Sequence, residues 1–589
     1  MPIRQPMHFL NLLEQNIQSR PNDIALKNHH YAPGWETISW RQLSQVTQNL
    51  AQFLLKLDIS PQACVAIFSN NCAQWTCADI AILNVRGVVV PLYPTNTADQ
   101  ISYIINDAQP QLIFVDNQER YNTLVSILPQ CPQLKYVVVF NKNVQLSNAE
   151  HHVYLDDCLD EIPAMLDELN RRTADRNLHD LATLIYTSGT TGEPKGVMLD
   201  HKNFASTIQQ HQKVIEFNPG DISLSFLPLS HIFERGWTLF VLASGGQNIY
   251  QANTLEVQKA LQKHQPHAVC VVPRFLEKLH QTIHNKIEKA SLAKRLCFKL
   301  AMKVAKSCQH KPNTWRMKLA DKWVFSQIRH KIGSRIKLMP CGGAALDKAV
   351  ADFFFAIQLP VVCGYGLTET TATVTCQRLH QQLAGSVGQP LPDVEVKIGA
   401  NNEVLTRGDT VMQGYYKKES ETKKAFDGGW FKTGDAGFID DSGQLHITYR
   451  IKELMKTSNG KYISPQRIEG ILIRSPLVEQ IAIVADMKNY VSALIVPNFN
   501  LLKEWAHTQN ITTQNPADLI KHSQVIQYID KALISLQAEL AKFERVKKFT
   551  LLPNSFSIEM GEITPTMKLR RNVIYQKYQA HIANMYNRV

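Results

Sequence analysis

From about residue 60 to residue 370 the chain alternates short apolar runs with amphipathic or polar stretches. VAIFS, GVVVPLY, LIFVD, YVVVF, ATLIYT, ISLSFLP, AVCVVP, IKLMPC and PVVCGYG are rich in β-branched residues, and each is bounded by turn residues. Near-continuous apolar runs of this length have no face to give to water, so they predict strands of parallel sheets covered by helices on both sides. After Gly385 the pattern shifts to short, more polar strands among many glycines, such as VEVKI, EVLTRG and LHITYR, which predicts a small β-rich subdomain over about 385–451. Beyond Lys452 come a helix around PQRIEGILIRS, a hairpin QIAIVADMKNYVSALIVPN and then mostly helices. The expected fold class is therefore α/β: a large N-terminal domain of parallel sheets flanked by helices, residues 1–451, followed by a smaller α+β domain, residues 452–589.

Size and composition agree with this division. At 589 residues the chain exceeds what one hydrophobic core supports. Its 44% hydrophobic and 19% charged residues are those of a globular protein. No apolar stretch is long enough to span a bilayer, since AILNVRGVVVPLY carries Arg86 at its centre, and the N-terminus has no sustained apolar region of a secretory signal. The 11 cysteines are scattered singly, which points to reduced thiols in a cytoplasm-like compartment. Cys72 and Cys77 are the nearest pair, and without partnering histidines they read as buried thiols rather than a zinc site.

Charge changes the picture more. The formal net charge is +12, and the segment 277–331 holds fourteen Lys or Arg against Glu277, Glu288 and Asp321. Within it Leu292, Leu296, Leu300 and Val304 share one helical face while Arg295, Lys299, Lys303 and Lys306 share another. Two readings stand: a basic amphipathic helix lying on an anionic membrane, or a helix packing its leucines onto the core with its lysines solvated. Nucleic acid is not an expected partner, because no recognition motif or aromatic stacking series accompanies the charge.

The stretch YTSGTTGEPKGVML, residues 186–199, carries the candidate chemistry. It follows an apolar strand, so it leaves a sheet where open α/β folds bind ligands. Glycines let backbone amides approach phosphate oxygens, Ser188, Thr190 and Thr191 add hydroxyl donors, and Lys195 adds a point charge. The P-loop pattern is absent, because Gly196 follows Lys195 where a magnesium-binding hydroxyl would stand.

Eight segments in order, VPLYPTNT (90–97), YTSGTTGEPKGVML (186–199), LPLSHIFERG (227–236), VPRFLEKL (272–279), YGLTET (365–370), WFKTGD (430–435), YRIKELMKTSNGKYISPQRIE (449–469) and TPTMKLRR (564–571), resemble the adenylate-forming acyl-CoA synthetases, most closely their long-chain fatty-acid branch. The resemblance covers nearly the whole chain. It implies a long-chain fatty acid:CoA ligase with ATP and coenzyme A as co-substrates and Mg2+ as cofactor, working in the cytoplasm or peripherally at the inner membrane face. It also implies a C-terminal domain that is mobile about Lys452-Glu453.

Residue by residue, the resemblance places the SGTTG loop and Lys195 on the departing phosphates, Thr368 on the α-phosphate, Glu369 on Mg2+, and Tyr365 against adenine. It places Asp435 and Arg450 on the ribose, Gly343 in the nucleotide-binding set, and Lys568 between the carboxylate and the α-phosphate. Gly460 would let the pantetheine arm pass, while His231, Phe233 and Trp237 would line the acyl site. Glu453, where the family usually has Asp, and Tyr449 are departures. Two alternatives remain at this point: an acyl-adenylate ligase loading a carrier-protein phosphopantetheine, and a non-catalytic, membrane-associated lipid-binding homologue.

Overall fold

The computed structural model describes residues 6–30, 34–147, 150–187, 193–307, 314–379, 381–513, 515–564 and 567–586. Its largest sheet has eight strands, six of which lie parallel in the order Leu181–Thr187, Val88–Leu92, Cys64–Phe68, Leu112–Val115, Tyr136–Val139 and His152–Tyr154. Every residue of Val88–Leu92 and Leu112–Val115 is buried, as a sheet covered on both faces requires. One edge departs from the all-parallel expectation. Lys195–Asp200 returns antiparallel along Leu181–Thr187, and Gly414–Tyr415 adds antiparallel to that. The connection 188–194 is too short for the crossover helix that a parallel return needs.

A second sheet orders Ala268–Val269, Ile222–Ser225, Gln247–Tyr250, Ile24–Asn28 and Thr37–Ser39, parallel except for the last strand. Parallel bridges from Ala268 to Leu338 and from Val271 to Cys341 join it to the strands Met339–Cys341 and Val361–Tyr365. The carboxyl ends of these strands lead into His231, Gly343 and Thr368, so the topology alone gathers three sequence-distant candidates along one edge. Five antiparallel strands between Glu395 and Arg450 form the small β-rich sheet.

The chain then passes through the short turn Ile451–Glu453 into a separate C-terminal domain. The predicted hairpin is Val478–Val484 with Val491–Pro497, and Val546–Leu551 joins it in parallel, a strand that the polar, lysine-containing sequence VKKFTL does not announce. Among the described residues the apolar clusters stop at this boundary: two draw only on residues from Met455 onward, and three only on residues before it. Arg474 Nη1 to Asp347 Oδ2 at 3.7 Å and Arg274 Nη2 donating to the Glu479 carbonyl at 3.2 Å are polar contacts between the two domains.

The core of the large domain contains a charge. Arg235, on the helix Ile232–Ala243, donates from Nε and Nη2 to Asp79 at 3.0 and 2.6 Å, and from Nη1 to Thr183 Oγ1 at 2.7 Å. Thr183 Oγ1 in turn donates to the Val89 carbonyl at 2.6 Å. Both charged side chains are almost wholly excluded from solvent. Removing one partner of such a fork strands the other charge without water, which costs about 3–5 kcal/mol. Arg235→Met is therefore expected to lower the urea midpoint of the large domain's unfolding, whereas Lys213→Met, which removes an exposed pair with Asp393, leaves it within error.

Candidate active site

The two strands that flank the glycine-rich loop are held in register, with Thr187 opposite Lys195. Ser188, Thr190 and Thr191 lie outside the described residues. Lys195 Nζ donates to Glu421 Oε2 at 2.5 Å and stands 5.0 Å from the centre of the Tyr415 ring. The Tyr415 hydroxyl donates to Glu369 Oε1 at 2.9 Å. Tyr415 thus joins the loop's lysine to the carboxylate of YGLTET. The pairing of Tyr415 with Val197 sets its position, since it brings a residue of the segment VMQGYY against the strand behind the loop. Sequence reading missed Tyr415 and Glu421, because no local pattern marks this contact.

Glu369 sits in the tight turn Thr368–Thr370 that follows the strand Val361–Tyr365. The turn is fixed by the Leu367 amide donating to Thr370 Oγ1 at 2.9 Å and by the Met412 amide donating to the Glu369 carbonyl at 2.8 Å. Gly366 is obligatory there, because a Cβ would come 2.1 Å from the Ala372 carbonyl oxygen. Thr368 is buried beneath this turn.

The Tyr365 hydroxyl donates to Asp435 Oδ2 at 2.7 Å, and Arg450 Nε donates to Asp435 Oδ1 at 2.9 Å. Asp435 and Arg450 face each other because they are register partners on antiparallel strands. Burial, reinforced by the Asp435 charge, pushes the Tyr365 phenol well above its ordinary range, so it is a neutral donor. Arg450 Nη2 also donates to Oδ2 at 3.4 Å, so three of the roughly four acceptor positions of the Asp435 carboxylate are used. Gly343 follows the strand Met339–Cys341 at φ +86°, and its neighbour Gly342 lies where a Cβ would meet the Phe233 ring at 3.6 Å. Phe233 therefore packs against the glycine loop. Trp237 does not line an open channel: it is buried, its Nε1 donates to Ser223 Oγ at 2.9 Å, and its ring packs against Phe217 and Phe240. One helical turn beyond Phe233, the packing has satisfied this indole within the core.

Lys568 comes from the other domain. A bridge between Ile563 and Leu569 closes its turn, and the Lys568 amide donates to Thr564 Oγ1 at 3.0 Å. Just beyond, Arg571 forms a fork with Glu469 at 2.6 and 2.8 Å, which fastens the turn to the domain's body. Partial desolvation, followed by the Arg450 charge, lowers the Lys568 ammonium from its usual range, against the pull of Asp435, Glu453 and Glu369. As a residue Lys568 remains exposed to solvent. Gly460 is not drawn into this constellation. It occupies a turn at φ +75° with its amide donating to the Thr457 carbonyl at 2.9 Å, and a Cβ there would meet nothing within 4 Å. In the turn between the domains, Glu453 accepts from Gln466 Nε2 at 2.7 Å.

A family described as AMP-binding enzyme matches residues 13–416, and its companion, described as AMP-binding enzyme C-terminal domain, matches residues 452–589. The chain belongs to the AMP-binding enzyme family. A long-chain-fatty-acid–CoA ligase of Mycobacterium bovis is 30% identical to it over 94% of this chain and 93% of the relative. Long-chain-fatty-acid–CoA ligase 1 of Homo sapiens is 30% identical over 98% of this chain and 86% of the relative. Among solved structures, the anthranilate CoA ligase AuaEII in complex with anthranoyl-AMP superimposes with a TM-score of 0.75 at 20% identity, covering 99% of both chains. The o-succinylbenzoate CoA synthetase of Bacillus subtilis with ATP and magnesium superimposes with a TM-score of 0.67 at 20% identity, covering 95% of this chain and 98% of that one.

In this member of the AMP-binding family, His231 caps the helix Ile232–Ala243, and its Nδ1 accepts from the Phe233 amide at 3.2 Å. Burial, with the Lys568 charge second, lowers its pKa from 6.5 to about 4. A neutral imidazole whose Nδ1 is an acceptor carries its proton on Nε2, so His231 is a donor there and has no free basic nitrogen.

Burial holds His8 and His211 at about 4 as well. With folded values below the unfolded 6.5, the unfolded chain binds the extra protons, so stability is fullest above pH 6.5 and falls as the pH drops toward 4. The urea midpoint is expected to be lower at pH 5 than at pH 7, and His211→Gln should flatten that slope. Because the buried Glu234 carboxyl, raised to about 8, pulls the other way, the decisive comparison is between variants: an unaltered slope in His211→Gln would show that this imidazole titrates normally.

Proposed function

We propose that the protein is a long-chain fatty acid:CoA ligase that activates its acid as an acyl-adenylate. The observation that carries this reading is the linked set of side chains in the large domain, Lys195 beside Tyr415, Tyr415 on Glu369, and Tyr365 and Arg450 on Asp435, with the Lys568 charge of the C-terminal domain acting on His231. A carboxylate is a poor acyl donor because oxide would have to leave. In the first step its oxygen bonds to the α-phosphorus of ATP while the bond to pyrophosphate breaks. In the second, the coenzyme A sulfur bonds to the acyl carbon, AMP departs, and the thiol proton is released. Fatty-acid specificity is proposed from the similarity to the long-chain ligases named above.

The enzyme's task in the first step is to gather positive charge and donors around two anions. Lys195 and the glycine loop would hold the departing phosphates, Thr368 and Lys568 the α-phosphate, and Asp435 with Arg450 the ribose. Tyr365 would lie against adenine, with Gly343 beside the nucleotide, while the His231 Nε2 proton and Phe233 would meet the carboxyl and the first carbons of the acid. Glu369 suits Mg2+: it is a single carboxylate with one oxygen taken by Tyr415, so an ion there would draw its other ligands from phosphate and water. When bound, the ion would supply charge neutralisation between phosphates. The grouping of three side chains able to hold a metal among the described residues, His29, His30 and Glu256, involves none of these residues.

Gly460 would serve the second step, once the C-terminal domain has turned about 452–453. No helix among the described residues is long and apolar enough to cross a membrane. We place the enzyme on the cytoplasmic side, attached peripherally through the basic segment 277–331.

AMP release in the presence of coenzyme A, scored over carboxylic acids of increasing chain length, is expected to rise toward long chains. A carrier protein offered instead of coenzyme A should give none. Lys568→Ala is expected to slow adenylate formation about a hundred-fold or more while sparing thioester formation from supplied acyl-AMP. Gly460→Leu is expected to do the reverse. Equal loss of both half-reactions in each variant would refute this division of roles.

A further inference from the structure

Leu279 of the basic segment packs onto the core, but the leucines beyond it do not. In the helix Leu292–Ser307 the buried positions are Phe298, Ala301 and Ala305, which join Leu276, Val350 and Phe353 in an apolar cluster. Leu292, Leu296 and Leu300 point away from it, and Leu292 is 79% exposed. The next helical stretch, Trp315–Ala320 continued by Asp321–Phe325, repeats the arrangement. Met317, Ala320 and Phe325 are buried in the same cluster, whereas Trp315, Leu319 and Trp323 are exposed, Trp315 by 70% and Trp323 by 65%. Both outward triplets recur every fourth residue, which is one stripe along a helix, and the two helical stretches pack against each other.

The inner face of this arm is already satisfied, so the outer stripes are surplus to folding. Soluble surfaces carry scattered single apolar residues, whereas six large ones on two adjoining helices mark a contact site. The surrounding charge selects the partner. Lys299, Lys303, Lys318 and Lys322 are exposed and form no ion pair among the described residues, while Asp321, the one acid between 292 and 331, is occupied by Arg329 at 2.6 Å. Lysine stems flanking leucine and tryptophan are the composition that settles at a lipid headgroup boundary, with ammonium groups among anionic phosphates and the rings and leucines below them. The arm is also connected to the cleft. The helix Pro273–Glu288 starts at Val272, whose Cγ1 lies 3.9 Å from the Cβ position of Gly343, and it leads outward to the striped helices.

We infer that Leu292, Leu296, Leu300, Trp315, Leu319 and Trp323 form an insertion surface that seats the enzyme in the headgroup boundary of an anionic bilayer. That this seat serves to collect a fatty acid rests on the ligase reading of the cleft; the seat itself does not. Binding of this kind has an apolar component that salt does not screen, unlike attachment by lysines alone.

The test is co-sedimentation of the full chain with phosphatidylcholine vesicles, with and without phosphatidylglycerol, at low and high salt. The expected result is partitioning that requires the anionic lipid and is weakened but not abolished by salt. Trp315→Ala with Trp323→Ala should reduce it about ten-fold. AMP release from a short, water-soluble acid should be unchanged in that variant, which also shows that it folds. Absence of vesicle binding, equal binding to neutral vesicles, or light scattering that reveals a dimer lost in the variant would each overturn the inference, the last by making a second copy the occupant. Vesicle binding without AMP release from any acid would instead overturn the ligase reading and leave the seat standing.

Discussion

The large domain is organised around the buried fork of Arg235 on Asp79 and Thr183. Asp79 lies on the helix Ala73–Asn84, Thr183 on the strand that runs into the glycine-rich loop, and Arg235 on the helix that His231 caps. One guanidinium therefore ties the wall proposed for the acyl group to the strand that runs into the glycine-rich loop proposed for the phosphates. A planar donor with five N–H groups can do this, whereas a lysine offers neither the fork nor the reach to a third partner. If the two halves of the site slid past each other, this charge would lose its acceptors away from water. The penalty for that is steep, so their relative placement is held firmly.

Around this anchor the polar groups of the cleft are already paired with one another. Tyr365 and Arg450 hold Asp435, Tyr415 holds Glu369, and Glu421 holds Lys195. Arrangements of this kind lower the cost of reorganisation when charge develops nearby, because the dipoles are oriented before the ligand arrives. The Lys195–Glu421 pair is the exception in kind. A carboxylate bound to the lysine proposed for the phosphates has to yield when they come.

How much of this was legible in the sequence depends on whether a contact is local. The parallel strands were legible because continuous burial demands continuous apolar runs, and Asp435 and Arg450 because each sits in a distinctive segment. Tyr415 and Glu421 were not, since their approach to Lys195 depends on a strand pairing between residues more than two hundred positions apart. The direction of Leu292, Leu296 and Leu300 was open for another reason. The helix has apolar residues on more than one side, and the packing surface around Phe353 accommodates Phe298 and the small Ala301 and Ala305 rather than the leucines. Trp237 shows the opposite limit, where the resemblance implied a wall of the acyl site and the space around the ring is filled by Phe217 and Phe240.

The boundary at residues 451–453 has a consequence for timing. Among the described residues no apolar cluster crosses it, and the contacts of Arg474 with Asp347 at 3.7 Å and of Arg274 with the Glu479 carbonyl at 3.2 Å are polar, so no shared apolar core opposes a parting of the domains. The fork between Arg571 and Glu469, by contrast, keeps the turn bearing Lys568 stiff within its own domain. In the turn proposed about 452–453, Lys568 would leave and return together with the domain body that carries Glu469, in one movement rather than by unravelling of its own segment.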